Sequence, residues 1–164
     1  MKLVGDYERI ADHAVNILES AEEMVSKGVT FTDSAVSEFK TICAAVTEIL
    51  ELSFCAFSRE DFSSARKTEP LEQVIDVLKE TLRTRHFLRL QKGDCSVAAG
   101  FVWSDLLTNL ERVSDHCSNI SGCVLDTAEL TMNIHENQRI FRDSDEDYRQ
   151  QYRMFQQKYR LHES

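Results

Sequence analysis

Proline and glycine are scarce in this chain, with one Pro and five Gly among 164 residues. An all-β fold needs many turns, and these two residue types form a large share of turns. Apolar residues make up 42% of the chain, which argues against disorder. The composition therefore predicts long helices in one domain, because a chain of this length suits a single core.

Cysteine pairs and long apolar runs are also missing. The five Cys include no Cys-x-x-Cys spacing and are odd in number, which favours a reducing, cytoplasmic compartment. No apolar run approaches the roughly 20 residues that cross a bilayer, and residues 1–5 lack the apolar segment of a signal peptide. We therefore expect a soluble chain without a membrane span of its own.

Positive charge is in deficit, since 28 acidic and 19 basic side chains give a net charge of −9. A surface of that sign repels phosphate backbones. The single basic patch, at Arg83, Arg85, His86 and Arg89, would spread over more than one face of a helix. We therefore expect no binding of nucleic acid.

Motifs typical of catalysis are absent from the sequence. The chain has no Gly-rich phosphate loop, no His-Glu-x-x-His and no nucleophile elbow. None of the five His has a Glu three residues before it, which a ferritin-like di-iron centre requires. We predict that the protein is not an enzyme, and a carboxylate-bridged metalloenzyme is the least favoured alternative.

One eleven-residue motif occurs twice. Residues 7–17 read Tyr-Glu-Arg-Ile-Ala-Asp-His-Ala-Val-Asn-Ile, and residues 110–120 read Leu-Glu-Arg-Val-Ser-Asp-His-Cys-Ser-Asn-Ile. Six of the eleven positions are identical, and five of those six are polar. A shared apolar periodicity would not reproduce these polar choices, so the chain carries an internal duplication.

Apolar periodicity predicts four long helices. The first covers residues 3–27 and ends at Gly28, and the second opens at Thr32 or Asp33 and continues to about residue 57. A third follows an Asp61 cap and is kinked or divided at Pro70, and a fourth follows a cap at Asp94 or Ser96. Short connections between long amphipathic helices imply antiparallel neighbours, so the predicted fold is an all-α antiparallel helical bundle.

The duplication divides this bundle unevenly. The second copy belongs to a three-helix unit of residues 32–130, whereas the first copy lies on an orphan helix that precedes it. We predict a bundle domain of residues 1–134 and a C-terminal tail of residues 135–164. The tail should have an acidic turn at residues 143–147 and then an amphipathic helix with an aromatic stripe, formed by Tyr148, Tyr152, Phe155 and Tyr159. We expect that helix to dock on the outside of the bundle, with contact to a partner as the alternative.

Each copy of the motif places two acidic side chains on one helix face. Residues four apart lie on the same face, so Glu8 aligns with Asp12, and Glu111 aligns with Asp115. Such a pair destabilises an isolated helix by a few tenths of a kcal/mol. The Arg after each Glu points about 100° away around the helix, so a bound cation would be a better partner.

A third acidic pair, Glu72 and Asp76, lies on the helix that should pack beside the second copy, with Glu69 one turn earlier. Carboxylates from neighbouring bundle helices can converge on a metal, and oxygen ligands suit iron, manganese or magnesium. The candidate metal ligands are Glu72, Asp76, Glu111, Asp115, Glu8 and Asp12. His13 and His116 would donate hydrogen bonds to the ligands or make packing contacts, and direct binding of the metal by these His is the less favoured alternative. The alternative is a metal-free helical interaction module whose acidic faces are solvated.

The repeated motif, together with Glu72 and Asp76, resembles the signature of the PhoU family over most of residues 3–130. The resemblance implies an all-α fold of two similar three-helix bundles, with multinuclear iron or zinc clusters on Glu/Asp-x-x-x-Asp motifs. It also implies a role in phosphate uptake and its regulation. The better candidate site combines the second copy with Glu72 and Asp76, because the first copy lacks a partner helix.

The end of the chain is similar to that of bacterial sodium/phosphate cotransporters, whose cytoplasmic tail is a PhoU-like domain. The similarity rests on Met132-Asn-Ile-His-Glu136 and on the later Tyr152-x-x-Phe155-x-x-Lys158 stretch. It implies a regulatory domain at the inner face of the cell membrane. The implied partners are a membrane phosphate transporter, in the same chain or a separate one, and a second copy forming a homodimer.

Overall fold

The computed structural model contains five α-helices and no strand among the residues it describes. It describes the backbone of residues 2–131 and 134–161, and the side chains of residues 3–128 and 145–161. In chain order the helices are α1 (Lys2–Lys27), α2 (Asp33–Arg59), α3 (Phe62–Lys92), α4 (Val97–Thr131) and α5 (Ile134–Lys158). The prediction of an all-α fold is confirmed.

The helices begin and end at the residues that local chemistry predicts. Thr32 caps α2, Asp61 caps α3 and Ser96 caps α4, each by accepting hydrogen bonds from backbone N–H groups of the first turn. Gly28 and Gly93 have φ of 60° and 79°, the left-handed conformation that ends α1 and α3. The predicted ends of α1, α2 and α3 and the start of α4 are therefore correct to within about two residues.

Two expectations about breaks in helices were wrong. The expected division at Pro70 is wrong: α3 continues through this buried residue, because core contacts on both sides outweigh the one backbone hydrogen bond that the ring removes. The expected kink stays a prediction. The predicted acidic turn at residues 143–147 is part of α5, where Asp145 and Arg149 form an ion pair of 3.0 Å one turn apart. Residues 132–133, at the start of the cotransporter-like stretch, lie outside the described residues.

Helices α2, α3 and α4 pack against one another as a three-helix bundle. Their heptad-like apolar faces meet in one core whose largest members are almost fully buried: Ile42, Ile49, Leu71, Ile75, Leu82, Trp103, Leu107 and Ile120. α3 and α4 run antiparallel, since Lys79 lies beside Glu111 and Glu69 beside Ser118. This arrangement places the second copy of the motif next to the third acidic pair.

α1 packs mainly on α4, outside this bundle. The two helices are antiparallel, with Asp6 beside His116 and His13 beside Asn109. The opposite face of α1 exposes apolar side chains, namely Val4, Val15, Leu18 and Val25. α1 is thus the predicted orphan helix, covered on one side.

The C-terminal helix α5 docks on α3, as the aromatic stripe predicted. Phe155 and Tyr159 are 1% and 7% exposed and belong to the same core as the bundle. Lys158 Nζ lies 2.7 Å from a carboxylate oxygen of Glu48 on α2, and the Tyr159 hydroxyl donates to that carboxylate. The division into domains at residue 134 stays a prediction.

Among the described residues, α2 is the one helix long and apolar enough to cross a bilayer by length and composition. The expectation that no segment could cross a membrane therefore has one exception, which is α2. The apolar side of α2 faces the core, where Ile42, Ala45 and Ile49 have no exposed surface. A core helix passes the same test, so this is weak evidence for a span.

Candidate functional site

The antiparallel pair α3 and α4 brings the acidic side chains of both helices together. The pKa of Glu72 is raised to about 7, first by burial and then by the negative charges of Asp76, Glu69, Asp115 and Glu111, in that order. These five side chains therefore share one electrostatic environment, and we call them the α3/α4 carboxylate cluster. Four of them are predicted metal ligands, drawn from two separate stretches of the sequence.

Two basic side chains already neutralise part of this cluster. Lys79 Nζ lies 3.3 Å from Glu111, and Arg112 lies 3.8 Å from Glu111 and 3.5 Å from Asp115. Arg112 is 56% exposed, so its ion pairs contribute little, whereas Lys79 is 20% exposed. Lys79 was missed from the sequence, although its position three residues after Asp76 puts it on the same face of α3.

Two side chains that carry a hydroxyl group interact with the cluster, one on α4 and one on α5. Ser118 on α4 donates to Glu69 at 2.6 Å, which ties the two helices together. Tyr148 on α5 is half-buried, and its pKa is raised by burial and then by the charges of Glu69 and Glu72. The aromatic stripe predicted that Tyr148 lies on the docking face of the tail helix, but its periodicity could not predict that this residue interacts with Glu69 and Glu72.

The first copy of the motif has a different environment. Glu8 and Asp12 are both exposed, since α1 contacts α4 through other positions. The structure therefore does not bring these two predicted ligands to the α3/α4 carboxylate cluster. The expected difference between the two copies is present in the fold.

The two repeated histidines join α1 to α4. His116 Nδ1 donates to Asp6 at 2.9 Å, His13 Nδ1 donates to Asn109 at 2.8 Å, and the two rings stack with centroids 5.7 Å apart. Asp6 and Asn109 are equivalent positions of the two copies. The two contacts are therefore related by a local two-fold axis between the rings, which gives the repeated His a packing role.

The predicted basic patch is largely internal. Glu38 is 5% exposed and accepts from Arg85 at 2.9 Å and from Arg89 at 2.8 Å. His86 stacks on Trp103 with ring centroids 5.2 Å apart, and burial lowers the pKa of its imidazole. These side chains fasten the end of the bundle where α2 begins and α3 ends.

The three-helix bundle corresponds to a known domain. The PhoU domain matches residues 39–124, which is more than half of the chain and covers most of α2, all of α3 and most of α4. The chain belongs to the PhoU family. The match contains the whole α3/α4 carboxylate cluster and leaves out α1 and α5.

This PhoU-family chain is also similar to a curated protein that is named as a PhoU homologue. The "Phosphate-specific transport system accessory protein PhoU homolog 1" of Thermotoga maritima is 28% identical over 120 residues, which is 73% of this chain and 51% of that protein. The chain thus spans about half the length of that relative. No solved structure matches the chain significantly.

The chemistry of the cluster fits the metal that PhoU resemblance implies, although its arrangement is not that of a closed site. Carboxylate oxygens suit hard or borderline cations, and the pKa of Glu72 is raised first by burial and then by the neighbouring carboxylates, both of which a bound cation would offset. In the described part of the chain, no three His, Cys, Asp or Glu side chains are already grouped to hold a metal ion. Metal binding by Glu72, Asp76, Glu111, Asp115, Glu8 and Asp12 stays a prediction.

Proposed function

We propose that this PhoU-family chain is a cytoplasmic regulatory or accessory domain in phosphate transport and not an enzyme. The observation that carries the proposal is the PhoU match over the bundle that holds the carboxylate cluster. The relative from Thermotoga maritima, whose name describes an accessory protein of a phosphate-specific transport system, supports the same role.

We further propose that the partner is a membrane phosphate transporter and that the domain lies at the inner face of the membrane. The similarity of the C-terminal stretch to sodium/phosphate cotransporters supports a transporter in the same chain, and a separate transporter or a second copy are the alternatives. Measuring phosphate uptake in cells that lack this domain tests the role. Uptake that keeps its normal rate and its normal response to phosphate supply would refute it.

We propose that the α3/α4 carboxylate cluster binds metal, with Glu72, Asp76, Glu111 and Asp115 as ligands and iron or zinc as the expected ions. The bound metal would supply positive charge between the two helices. The four carboxylates would then cease to repel one another, so α3 and α4 would present a fixed surface to the transporter. The raised pKa of Glu72 supports this role, because burial and, after it, the neighbouring carboxylates disfavour the charged form that a cation would stabilise.

Elemental analysis of protein purified without chelator tests the metal site. The wild type should carry metal, and Asp76→Ala with Asp115→Ala should lose it, because two of four ligands are removed. Glu19→Ala with Glu22→Ala is the matched control, since it removes the same charge from exposed positions on α1 that are not predicted ligands. Equal metal content in the wild type and the cluster variant would refute the ligand assignment.

The metal-free interaction module is the second candidate, and the ion pair between Lys79 and Glu111 favours it. In this case Lys79 and Arg112 alone would offset the acidic charges. Wild-type protein would then be purified without metal, and isothermal titration with Mn²⁺ or Zn²⁺ would show no saturable site.

A further inference from the structure

The hairpin that joins α3 to α4 leaves apolar side chains in solvent at its tip. Phe87 and Phe101 are 57% and 69% exposed, although Phe is among the residues most often buried. His86 stacks on Trp103, which places the last turns of α3 beside the first turns of α4. We call this surface the hairpin tip, and its exposed residues are Arg83, Phe87, Leu88, Lys92, Val97 and Phe101.

The apolar side chains of the tip lie close together on the two helices. Phe87 is two turns after Lys79 on one face of α3, and Lys79 contacts Glu111 on α4, so this face borders α4. Val97 lies fourteen residues before Glu111, which puts both on the same side of α4. Phe87 and Val97 therefore occupy neighbouring edges of the helix pair. Contiguous exposed apolar residues of this kind mark an interaction site.

The tip is also the basic end of an acidic protein. Residues 83–101 contain four basic side chains and one acidic side chain, whereas the whole chain has a net charge of −9. Two of the four basic side chains bind Glu38 inside the bundle, so the exposed positive charge of the tip comes from Arg83 and Lys92. A negatively charged surface is therefore attracted to this end of the bundle and repelled by the remainder.

We propose that the hairpin tip docks on the surface of an anionic lipid bilayer. Arg and Lys beside a membrane are attracted to anionic headgroups, and Phe and Leu enter the boundary between headgroups and acyl chains. Phe87 and Leu88 are adjacent on α3 and point about 100° apart, so the apolar side chains leave the tip in more than one direction. A bilayer surrounds such a tip without a matching groove, which a protein partner would need. The inference rests on the proposed location at the membrane and adds the lipid as a second partner beside the transporter.

Co-sedimentation of the full chain with lipid vesicles tests the docking. The wild type should bind vesicles that mix phosphatidylglycerol with phosphatidylcholine, and bind pure phosphatidylcholine much more weakly. Arg83→Gln with Lys92→Gln should weaken binding to the mixed vesicles about 10- to 30-fold, because two charges beside the headgroups are lost. Phe87→Ser with Phe101→Ser should weaken it at least about tenfold, because two apolar side chains no longer enter the bilayer.

The opposite end of the bundle, where α2 ends and α3 begins, offers matched controls. Arg59→Gln with Arg66→Gln, and Phe54→Ser with Phe62→Ser, remove the same side-chain types from exposed positions. These variants should bind like the wild type, and thermal melts establish that every variant is folded. An equal loss of binding in the tip variants and the controls would overturn the assignment to the tip.

Two further results separate the bilayer from other occupants. A wild type that does not bind the mixed vesicles would overturn lipid docking and direct the search to an acidic protein partner. Binding that inorganic phosphate abolishes at constant ionic strength would also overturn it, because the tip would then bind the free ion. Vesicle binding needs no transporter, so failure in this assay leaves the proposed role in phosphate transport to the uptake measurement.

Discussion

Replacing Glu72 by Gln should stabilise the metal-free protein at alkaline pH. The folded protein raises the pKa of this carboxyl from 4.5 to about 7, so folding disfavours its charged form. The contribution of this carboxyl to the free energy of unfolding is therefore most favourable below pH 4.5, declines as the pH rises from 4.5 to 7, and carries the full penalty above pH 7. Gln has nearly the same shape and no charge, so it removes the penalty.

The magnitude follows from the size of the pKa change. A rise from 4.5 to about 7 corresponds to about 3 kcal/mol at 1.36 kcal/mol per tenfold change in acidity, and solvent contact of this half-buried side chain reduces it to about 1–2 kcal/mol. For a chain of this size, that gain would raise the Tm by about 3–8 °C at pH 8. At pH 5 the gain in the free energy of unfolding should be about a quarter of its value at pH 8.

Urea unfolding in EDTA at pH 5 and pH 8 measures the effect, with Glu22→Gln on α1 as the control of equal charge. The control should change the free energy of unfolding by less than about 0.5 kcal/mol at both pH values. A gain for Glu72→Gln that is the same at pH 5 and pH 8 would refute the reasoning, because it would have no origin in the carboxyl's ionisation.

Three further predictions concern the contacts around the cluster and the two outer helices. Lys79→Met should lower the free energy of unfolding of the metal-free protein by about 0.5–1 kcal/mol at pH 8. If urea unfolding shows no loss, the ion pair between Lys79 and Glu111 does not stabilise the protein. His116→Ala removes the hydrogen bond to Asp6, so amide exchange of α1 should accelerate several-fold while that of α3 stays constant. Phe155→Ala opens a cavity under α5 and should destabilise the docked tail by about 3–5 kcal/mol. Limited trypsin digestion should then cleave the tail before the bundle, and simultaneous cleavage of both would contradict separate docking of the tail.

Elements of the fold that depend on neighbours in the chain could be predicted from the sequence. Thr32, Asp61 and Gly93 act within one turn of the backbone, so their chemistry is sufficient to locate helix ends. The unbroken course of α3 through Pro70 could not be predicted in this way. Whether a helix survives a proline depends on the core contacts around it, which come from distant residues.

The candidate site, too, could be predicted only in part from the sequence. The equal spacing of Glu72 and Asp76 and of Glu111 and Asp115 indicated which side chains would share a helix face. Their common electrostatic environment, the ion pair with Lys79 and the approach of α5 depend on helix packing. His13 and His116 illustrate this limit of prediction, because their hydrogen-bond partners Asn109 and Asp6 lie 96 and 110 residues away in the chain.

By itself, the sequence determined the helices, the duplication and the family, since periodicity, caps and the repeated motif are local or are visible as direct similarity. Only the tertiary structure decided how the surroundings of the two copies differ. α3 packs beside the second copy and brings Glu72 into one environment with Glu111 and Asp115, whereas Glu8 and Asp12 face solvent. The physical reason is that charge density depends on which helices are neighbours, so a repeated motif has different electrostatic surroundings when its neighbouring helix differs.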